Sequence, residues 1–171
     1  FDSDMRIYLV GFMGSGKSFI GRNLAPILDF EYIDMDKYIE EKEALSITEI
    51  FEQKGEVYFR EQEHLFIKNI DTTKNYVIST GGGVPCFYNN MDLMNEKGLT
   101  IYLNRSKLLT IPRLIKGKHK RPLIADLTEQ ELEQFYDERL SVRKLFYEQA
   151  QLHVGDADLD EIVELIKSKW N

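Results

Sequence analysis

The feature that most constrains the fold is an eight-residue segment, Gly11–Ser18, with the spacing Gly-x4-Gly-Lys-Ser. It follows the apolar run Ile7–Val10 and precedes a segment of helical character, so it predicts a strand, a tight loop and a helix. In this P-loop pattern backbone N–H groups point at an anion, and glycines let a phosphate approach the chain. Lys17 is expected to reach the β- and γ-phosphates of a nucleotide, and Ser18 to ligate Mg²⁺.

Composition narrows the class of protein around that site. The 171 residues fit one domain, residues 1–171, and no run approaches the roughly 20 apolar residues of a membrane helix. The formal net charge of −7 argues against a nucleic-acid partner, because binding to a phosphate backbone requires a basic surface. The one cysteine, Cys86, excludes an intramolecular disulfide and fits a reducing compartment, and the acidic start gives no sign of a secretory leader. We therefore expect a cytoplasmic monomer with no membrane or nucleic-acid partner.

Strands and helices alternate along the chain. The β-rich runs lie at 7–10, 30–34, 76–79, 99–103 and 152–154. Helices are predicted at 17–29, from 35, from 46 to 55, and at 56–70, 91–97, 108–115, 128–149 and 159–169. This alternation predicts a three-layer α/β/α domain with a parallel sheet covered on both faces. Ligands bind beyond the C-terminal strand ends of such sheets, so the loops at 11–18, 34–36 and 81–83 should converge on one crevice.

Carboxylates, an arginine and a glycine run mark the acceptor side of that crevice. Asp34 and Asp36 follow the second strand; one could bind Mg²⁺ through water and the other a substrate hydroxyl, or either could simply cap a helix. Arg60 lies in a helix with apolar neighbours, where it needs Glu63 or a substrate carboxylate as partner, unless it forms a surface ion pair. The run Gly81–Gly83 favours close backbone approach to a ligand over a generic loop.

A basic segment, Lys116–Leu123, matches neither the helix nor the strand period and predicts a mobile loop. Beside a P-loop it is interpreted as a lid that closes over ATP and carries Arg121 onto the transferring phosphoryl group; the alternative is a solvated surface. An arginine in that position stabilises charge in the transition state, which is worth roughly 10²–10³ in rate.

Taken together, the motifs resemble those of the shikimate kinases. The resemblance covers nearly the whole chain, in the order Gly11–Ser18, Asp34–Asp36, Phe59–Glu63, Ser79–Val84, Arg121–Ile124 and Arg143–Tyr147. It implies a nucleoside-monophosphate-kinase-like fold with a five-stranded parallel sheet in the order 2-3-1-4-5, acceptor-binding helices at about 35–70 and a lid at about 114–126. It also implies transfer of the γ-phosphate of MgATP to the 3-hydroxyl of shikimate, giving shikimate 3-phosphate and ADP, in the pathway to chorismate and aromatic amino acids.

The motifs and the resemblance together assign roles to individual residues. The expected catalytic residues are Lys17, Asp36 and Arg121. The expected shikimate-binding residues are Asp36, Arg60, Gly82, Gly83 and Arg143. The expected ATP-binding residues are Gly14, Ser15, Gly16, Lys17, Ser18, Phe19, Arg113, Arg121 and Asp156. Ser79 stands where many P-loop enzymes have a metal-binding aspartate, so Mg²⁺ is expected to depend on Ser18 and, through water, on Asp34.

Two other functions stay open on the sequence alone. One is a different small-molecule P-loop kinase, for gluconate or a nucleoside monophosphate. The other is a non-catalytic regulator that uses ATP to change shape for a protein partner and would need an exposed apolar patch, which the sequence does not make evident. An ADP-release assay with a panel of acceptors separates these functions.

Overall fold

The computed structural model describes residues 4–170, so the first three residues of the acidic start lie outside the described part. The strands are β1 (Arg6–Val10), β2 (Glu31–Asp34), β3 (Tyr76–Ser79), β4 (Leu99–Tyr102) and β5 (Leu152–His153). They form one sheet in the order β2-β3-β1-β4-β5, and every pair is parallel. The predicted α/β fold and its strand order are confirmed.

The helices follow the sequence pattern to within a few residues. They are α1 (Lys17–Leu28), α2 (Met35–Glu43), α3 (Ile47–Lys54), α4 (Glu56–Asn69), α5 (Asn90–Lys97), α6 (Lys107–Lys116), α7 (Glu129–Tyr147) and α8 (Leu159–Trp170). The capping boxes predicted at Ser46 and Thr128 are both formed, which explains why α3 and α7 begin where they do. Among the described residues, no helix is long and apolar enough to cross a membrane.

Both faces of the sheet are buried, because side chains alternate across each strand. On β1, Tyr8 and Val10 belong to one apolar cluster, which includes residues of α5, α6 and α7. Ile7 and Leu9 belong to a second cluster, which includes residues of α1 and α8. A strand buried on both faces must be apolar throughout, and this is why Ile7–Val10 forms one continuous hydrophobic run.

Helices α2, α3 and α4 share a small apolar cluster of their own. Its buried members are Ile39, Ile50 and Phe59, one from each helix. These helices therefore pack against one another, and Met35 of α2 and Ile67 of α4 also join them to the larger cluster on the sheet. They hold the side chains of Asp36 and Arg60 above the C-terminal edge of the sheet.

The segment interpreted as a lid is more ordered than the sequence pattern indicates. Helix α6 runs through Pro112 to Lys116, a 3-10 turn follows at Lys118–Lys120, and Ile124 is buried in the core. A buried stripe of Thr110, Ile111 and Leu114 holds α6 in place despite the lost proline N–H. The mobility of this segment stays a prediction.

Candidate active site

The P-loop begins after β1 and ends at the first turn of α1. Gly14 and Gly16 have φ values of +78° and +89°, which a residue with a side chain adopts only with strain. The ammonium of Lys17 donates to the carbonyl oxygens of Gly11 and Phe12 at 2.5 and 3.1 Å. Burial lowers the pKa of Lys17 to about 8, and the nearby carboxylate of Asp36 opposes part of that shift. The ammonium is thus partly desolvated and bonded only to carbonyl groups.

Oxygen atoms suited to Mg²⁺ lie beside the P-loop. The Ser18 hydroxyl is 3.5 Å from Oδ2 of Asp34, and Oδ1 of Asp34 accepts a hydrogen bond from the Lys37 N–H at the start of α2. Asp34 therefore caps a helix and also faces Ser18. Hard oxygen donors fit Mg²⁺, which usually keeps several waters and binds substrate phosphates. In residues 4–170 no trio of histidine, cysteine or acidic side chains could hold a metal by itself.

Ser79 is used structurally rather than left free for a metal. Its hydroxyl donates to the Lys17 carbonyl oxygen at 2.8 Å and accepts from the Tyr32 hydroxyl at 3.0 Å. These bonds attach the first turn of α1 to β2 and to the end of β3. At this position, where many P-loop enzymes have an aspartate, the serine hydroxyl instead joins neighbouring elements through hydrogen bonds.

A cleft of about 930 Å³ opens at the C-terminal edge of the sheet. It brings together most of the sequence-predicted site: Gly14, Ser15, Gly16, Lys17, Ser18, Phe19, Asp34, Asp36, Gly82, Arg113, Arg121 and Asp156. Arg60, Gly83 and Arg143 are not among its lining residues. They adjoin it through the glycine run.

Two guanidinium groups converge on that glycine run from different helices. A Cβ on Gly83 would collide with the guanidinium of Arg60, which comes from α4. A Cβ on Gly82 would lie 3.1 Å from Nη1 of Arg143, which comes from α7. The two arginines therefore approach adjacent residues of the glycine run.

Two carboxylates complete this charged cluster. A Cβ on Gly81 would lie 2.9 Å from Oδ1 of Asp36 and 3.0 Å from Oε2 of Glu63. Nη1 of Arg60 donates to Oε1 of Glu63 at 2.8 Å, and the same guanidinium stacks 4.3 Å from the centre of the Phe87 ring. The predicted pairing of Arg60 with Glu63 is therefore present, and it is buried rather than on the surface.

The environment raises the pKa of both carboxylates. Burial raises the pKa of Glu63 to about 7, although the charge of Arg60 opposes the shift. Burial also raises the pKa of Asp36, with a further contribution from the charge of Asp34. A carboxylate whose pKa moves toward neutrality is better matched to accepting a proton from a hydroxyl.

Arginines from the segments after β4 also line the cleft. Arg121 donates to the Gly117 carbonyl oxygen at 3.2 Å, and its positive charge lowers the pKa of Lys17. Nη1 of Arg113 would lie 3.3 Å from a Cβ on Gly16, so it reaches the P-loop. Asp156 accepts a hydrogen bond from the Ser106 N–H at 2.7 Å, and this bond lowers the pKa of its carboxyl.

Sequence reasoning missed two side chains that hold the site together. Arg105 lines the cleft and bonds the P-loop to the loop after β5, but nothing in its local sequence distinguishes it from a surface arginine. Tyr147 is buried and donates to the Gly82 carbonyl oxygen at 2.6 Å. A signal for Tyr147 did exist, because it lies one helical turn after Arg143 and so projects from the same face of α7.

Comparisons with known proteins agree with this geometry. A family model described as "Shikimate kinase" matches residues 13–169. The shikimate kinase of Azobacteroides pseudotrichonymphae is 41% identical over 167 residues, which are 96% of this chain and 98% of the relative.

Two solved structures extend the comparison to the fold. The crystal structure of shikimate kinase from Bacteroides thetaiotaomicron has a TM-score of 0.86 and 37% identity, covering 95% of this chain and 98% of that one. The structure of shikimate kinase from Acinetobacter baumannii in complex with shikimate has a TM-score of 0.84 and 32% identity, covering 99% of this chain and 96% of that one.

Proposed function

The chain belongs to the shikimate kinase family, and from this premise we infer that its cleft transfers the γ-phosphate of ATP to the 3-hydroxyl of shikimate. The products are shikimate 3-phosphate and ADP, in the pathway to aromatic amino acids. The observation that carries this function is the meeting of a P-loop with two guanidiniums at Gly82 and Gly83. One site suits a nucleotide phosphate, and the other suits a small carboxylic acid.

On the acceptor side, Arg60 and Arg143 hold the carboxylate of shikimate, and Gly82 and Gly83 contribute backbone contacts. Asp36 accepts a hydrogen bond from the reacting hydroxyl and takes its proton during transfer. Support for this role comes from the position of Asp36 in the cleft, its nearness to Lys17 and its raised pKa. Helices at about 35–70 carry Asp36 and Arg60, whereas Arg143 comes from α7.

On the nucleotide side, the P-loop residues 14–19 cradle the phosphates, and Lys17 neutralises their charge. Ser18 and, through water, Asp34 would hold Mg²⁺, which when bound would offset negative charge on the phosphates. Arg113 and Asp156, which line the cleft, bind the adenosine part. Their support is their place in the cleft lining.

Transfer of a phosphoryl group depends mainly on positioning and charge stabilisation. The segment at about 114–126 acts as the lid, and it carries Arg121 toward the phosphates and excludes water. Arg121 then stabilises charge that develops on the transferring group. We propose that all of this occurs in a single-domain, cytoplasmic monomer, in keeping with its one cysteine.

The direct test is ADP production at saturating MgATP, with and without shikimate. We expect shikimate to increase ADP release strongly, whereas gluconate and nucleoside monophosphates do not. If ADP release depended on gluconate or a nucleoside monophosphate instead, that compound rather than shikimate would be the substrate. ATP binding without turnover on any acceptor would favour the regulator.

A further inference from the structure

Arg105 is a buried arginine between β4 and α6. Only 9% of its surface is exposed. Its Nε donates to the Ser15 carbonyl oxygen at 3.0 Å, and its Nη1 donates to the carbonyl oxygens of Gly155 and Ala157 at 3.0 and 2.5 Å. One guanidinium thus joins the P-loop to the loop after β5, although these loops lie near opposite ends of the chain.

The residues before and after Arg105 also form hydrogen bonds with the loop at 155–157, but neither forms one with the P-loop. Oδ1 of Asn104 accepts from the Gly155 N–H at 2.5 Å, and the Ser106 N–H donates to Asp156 at 2.7 Å. Loop 155–157 is therefore attached through three successive residues. Of these three, only Arg105 also bonds the phosphate-binding loop.

The charge of Arg105 has no carboxylate partner. Among residues 4–170 it forms no salt bridge, and all three of its bonds go to carbonyl groups. Burial lowers the pKa of Arg105, and the charge of Arg113 adds to this shift while that of Asp156 opposes it. A polyanion bound in the cleft would offset the repulsion between these two neighbouring guanidiniums.

We propose that Arg105 is a positioning residue for the nucleotide: it fixes the P-loop and loop 155–157 relative to each other and adds positive charge beneath the phosphates. The proposal rests on the proposed function, since it requires that the cleft bind ATP. The fixing of the two loops and the added positive charge act equally on bound ATP and on the transition state. Loss of Arg105 should therefore raise the KM for ATP and the Kd for ADP, with little change in kcat or in the KM for shikimate.

The chain offers a matched control in Arg6. It is also 9% exposed and also donates to carbonyl oxygens, those of Lys97 and Thr72, but it lies at the opposite end of the sheet. Removing either arginine should lower the melting temperature. Only removal of Arg105 should weaken nucleotide binding.

The experiment measures ADP binding by calorimetry, melting temperature, and both KM values for wild type, Arg105→Ala, Arg105→Lys and Arg6→Ala. We expect Arg105→Ala to weaken ADP binding by about tenfold or more, as for lost hydrogen bonds to a charged group. The ADP affinity of Arg105→Lys should lie between those of Arg105→Ala and wild type, because an ammonium keeps the charge but cannot bond both loops at once. Arg6→Ala should bind ADP like wild type.

Unchanged ADP affinity in Arg105→Ala, or equal weakening in Arg6→Ala, would overturn the proposal. If Arg105→Ala does not fold, Arg105→Lys provides the test. An ADP affinity equal to that of wild type in Arg105→Lys would then overturn the proposal that Arg105 bridges the two loops. A wild-type protein that fails to bind ADP would instead contradict the proposed function.

Discussion

The two halves of the site balance their charges in different ways. In the phosphate half (Lys17, Arg105, Arg113 and Arg121), no cation forms a salt bridge within residues 4–170. The side-chain hydrogen bonds of Lys17, Arg105 and Arg121 in that part of the chain go to carbonyl oxygens. In the acceptor half (Asp36, Arg60, Glu63 and Arg143), Arg60 bonds Glu63 at 2.8 Å and also faces Glu56 at 3.4 Å.

We expect this difference to reflect the charges of the two proposed ligands. ATP brings several negative charges, so the phosphate half keeps an excess of positive charge that the nucleotide neutralises on binding. Shikimate brings one carboxylate, and in the acceptor half two guanidiniums stand beside two carboxyl groups, so most of the charge there is balanced internally. The phosphate half should therefore reduce the stability of the empty protein, whereas the acceptor half should not.

The largest expected effect is that of Lys17→Met in the phosphate half. We expect kcat to fall by roughly 10²–10³, as for other lost donors to a transferring group. We also expect the melting temperature of the ligand-free protein to stay the same or rise, because a partly desolvated cation is removed. Steady-state kinetics and thermal unfolding measure the two quantities, and the exposed Lys74→Met is the matched control.

A clear fall in the melting temperature of Lys17→Met, beyond that of Lys74→Met, would contradict the claim that the phosphate half is destabilising. It would mean that the Gly11 and Phe12 carbonyl groups fully compensate the buried ammonium.

The next largest effect is that of Arg60→Met in the acceptor half. We expect the KM for shikimate to rise about a hundredfold, as for loss of one partner from a buried charge pair, with the KM for ATP nearly unchanged. The melting temperature should fall, because Glu63 is left buried without its guanidinium. Adding Glu63→Gln to this variant should restore stability but not shikimate binding.

Kinetics with each substrate varied in turn, together with thermal unfolding of both variants, carry out this test. A collapse of ATP affinity in Arg60→Met would move Arg60 out of the acceptor half.

The smallest effect is a pH dependence of stability from Glu63. Its pKa is raised from 4.5 to about 7 in the folded protein, so the folded state holds this proton over a range where the unfolded chain has lost it. The stabilising contribution of the proton is complete below pH 4.5 and is lost as the pH rises through about 7. The free energy of unfolding of wild type relative to Glu63→Gln should therefore decrease across that window.

Urea unfolding at a series of pH values measures this difference, and other carboxylates cancel because both proteins contain them. Glu56→Gln, which alters the exposed partner of Arg60, should show no such trend. A pH-independent difference for Glu63→Gln would mean that Arg60 keeps Glu63 ionised throughout.

Local patterns were sufficient to predict which helices and strands form and that they build an α/β domain. The P-loop spacing, the apolar run of β1 and the capping boxes each depend on residues a few positions apart, and each forms as expected. The strand order and the family were implied by the resemblance of the motifs, and both are confirmed. The roles of Asp36, Arg121 and the other site residues stay predictions, supported by their places around the cleft and the glycine run.

The sequence by itself determined which elements form, where the phosphate-binding loop lies and which family the chain belongs to, because these depend on periodicity and short spacings. Only the tertiary structure decided that Arg105 joins two distant loops, that Tyr147 holds Gly82, and that Glu63 is buried beside Arg60. Burial and hydrogen bonding between distant segments depend on how the helices pack across the sheet, and no local pattern contains that information.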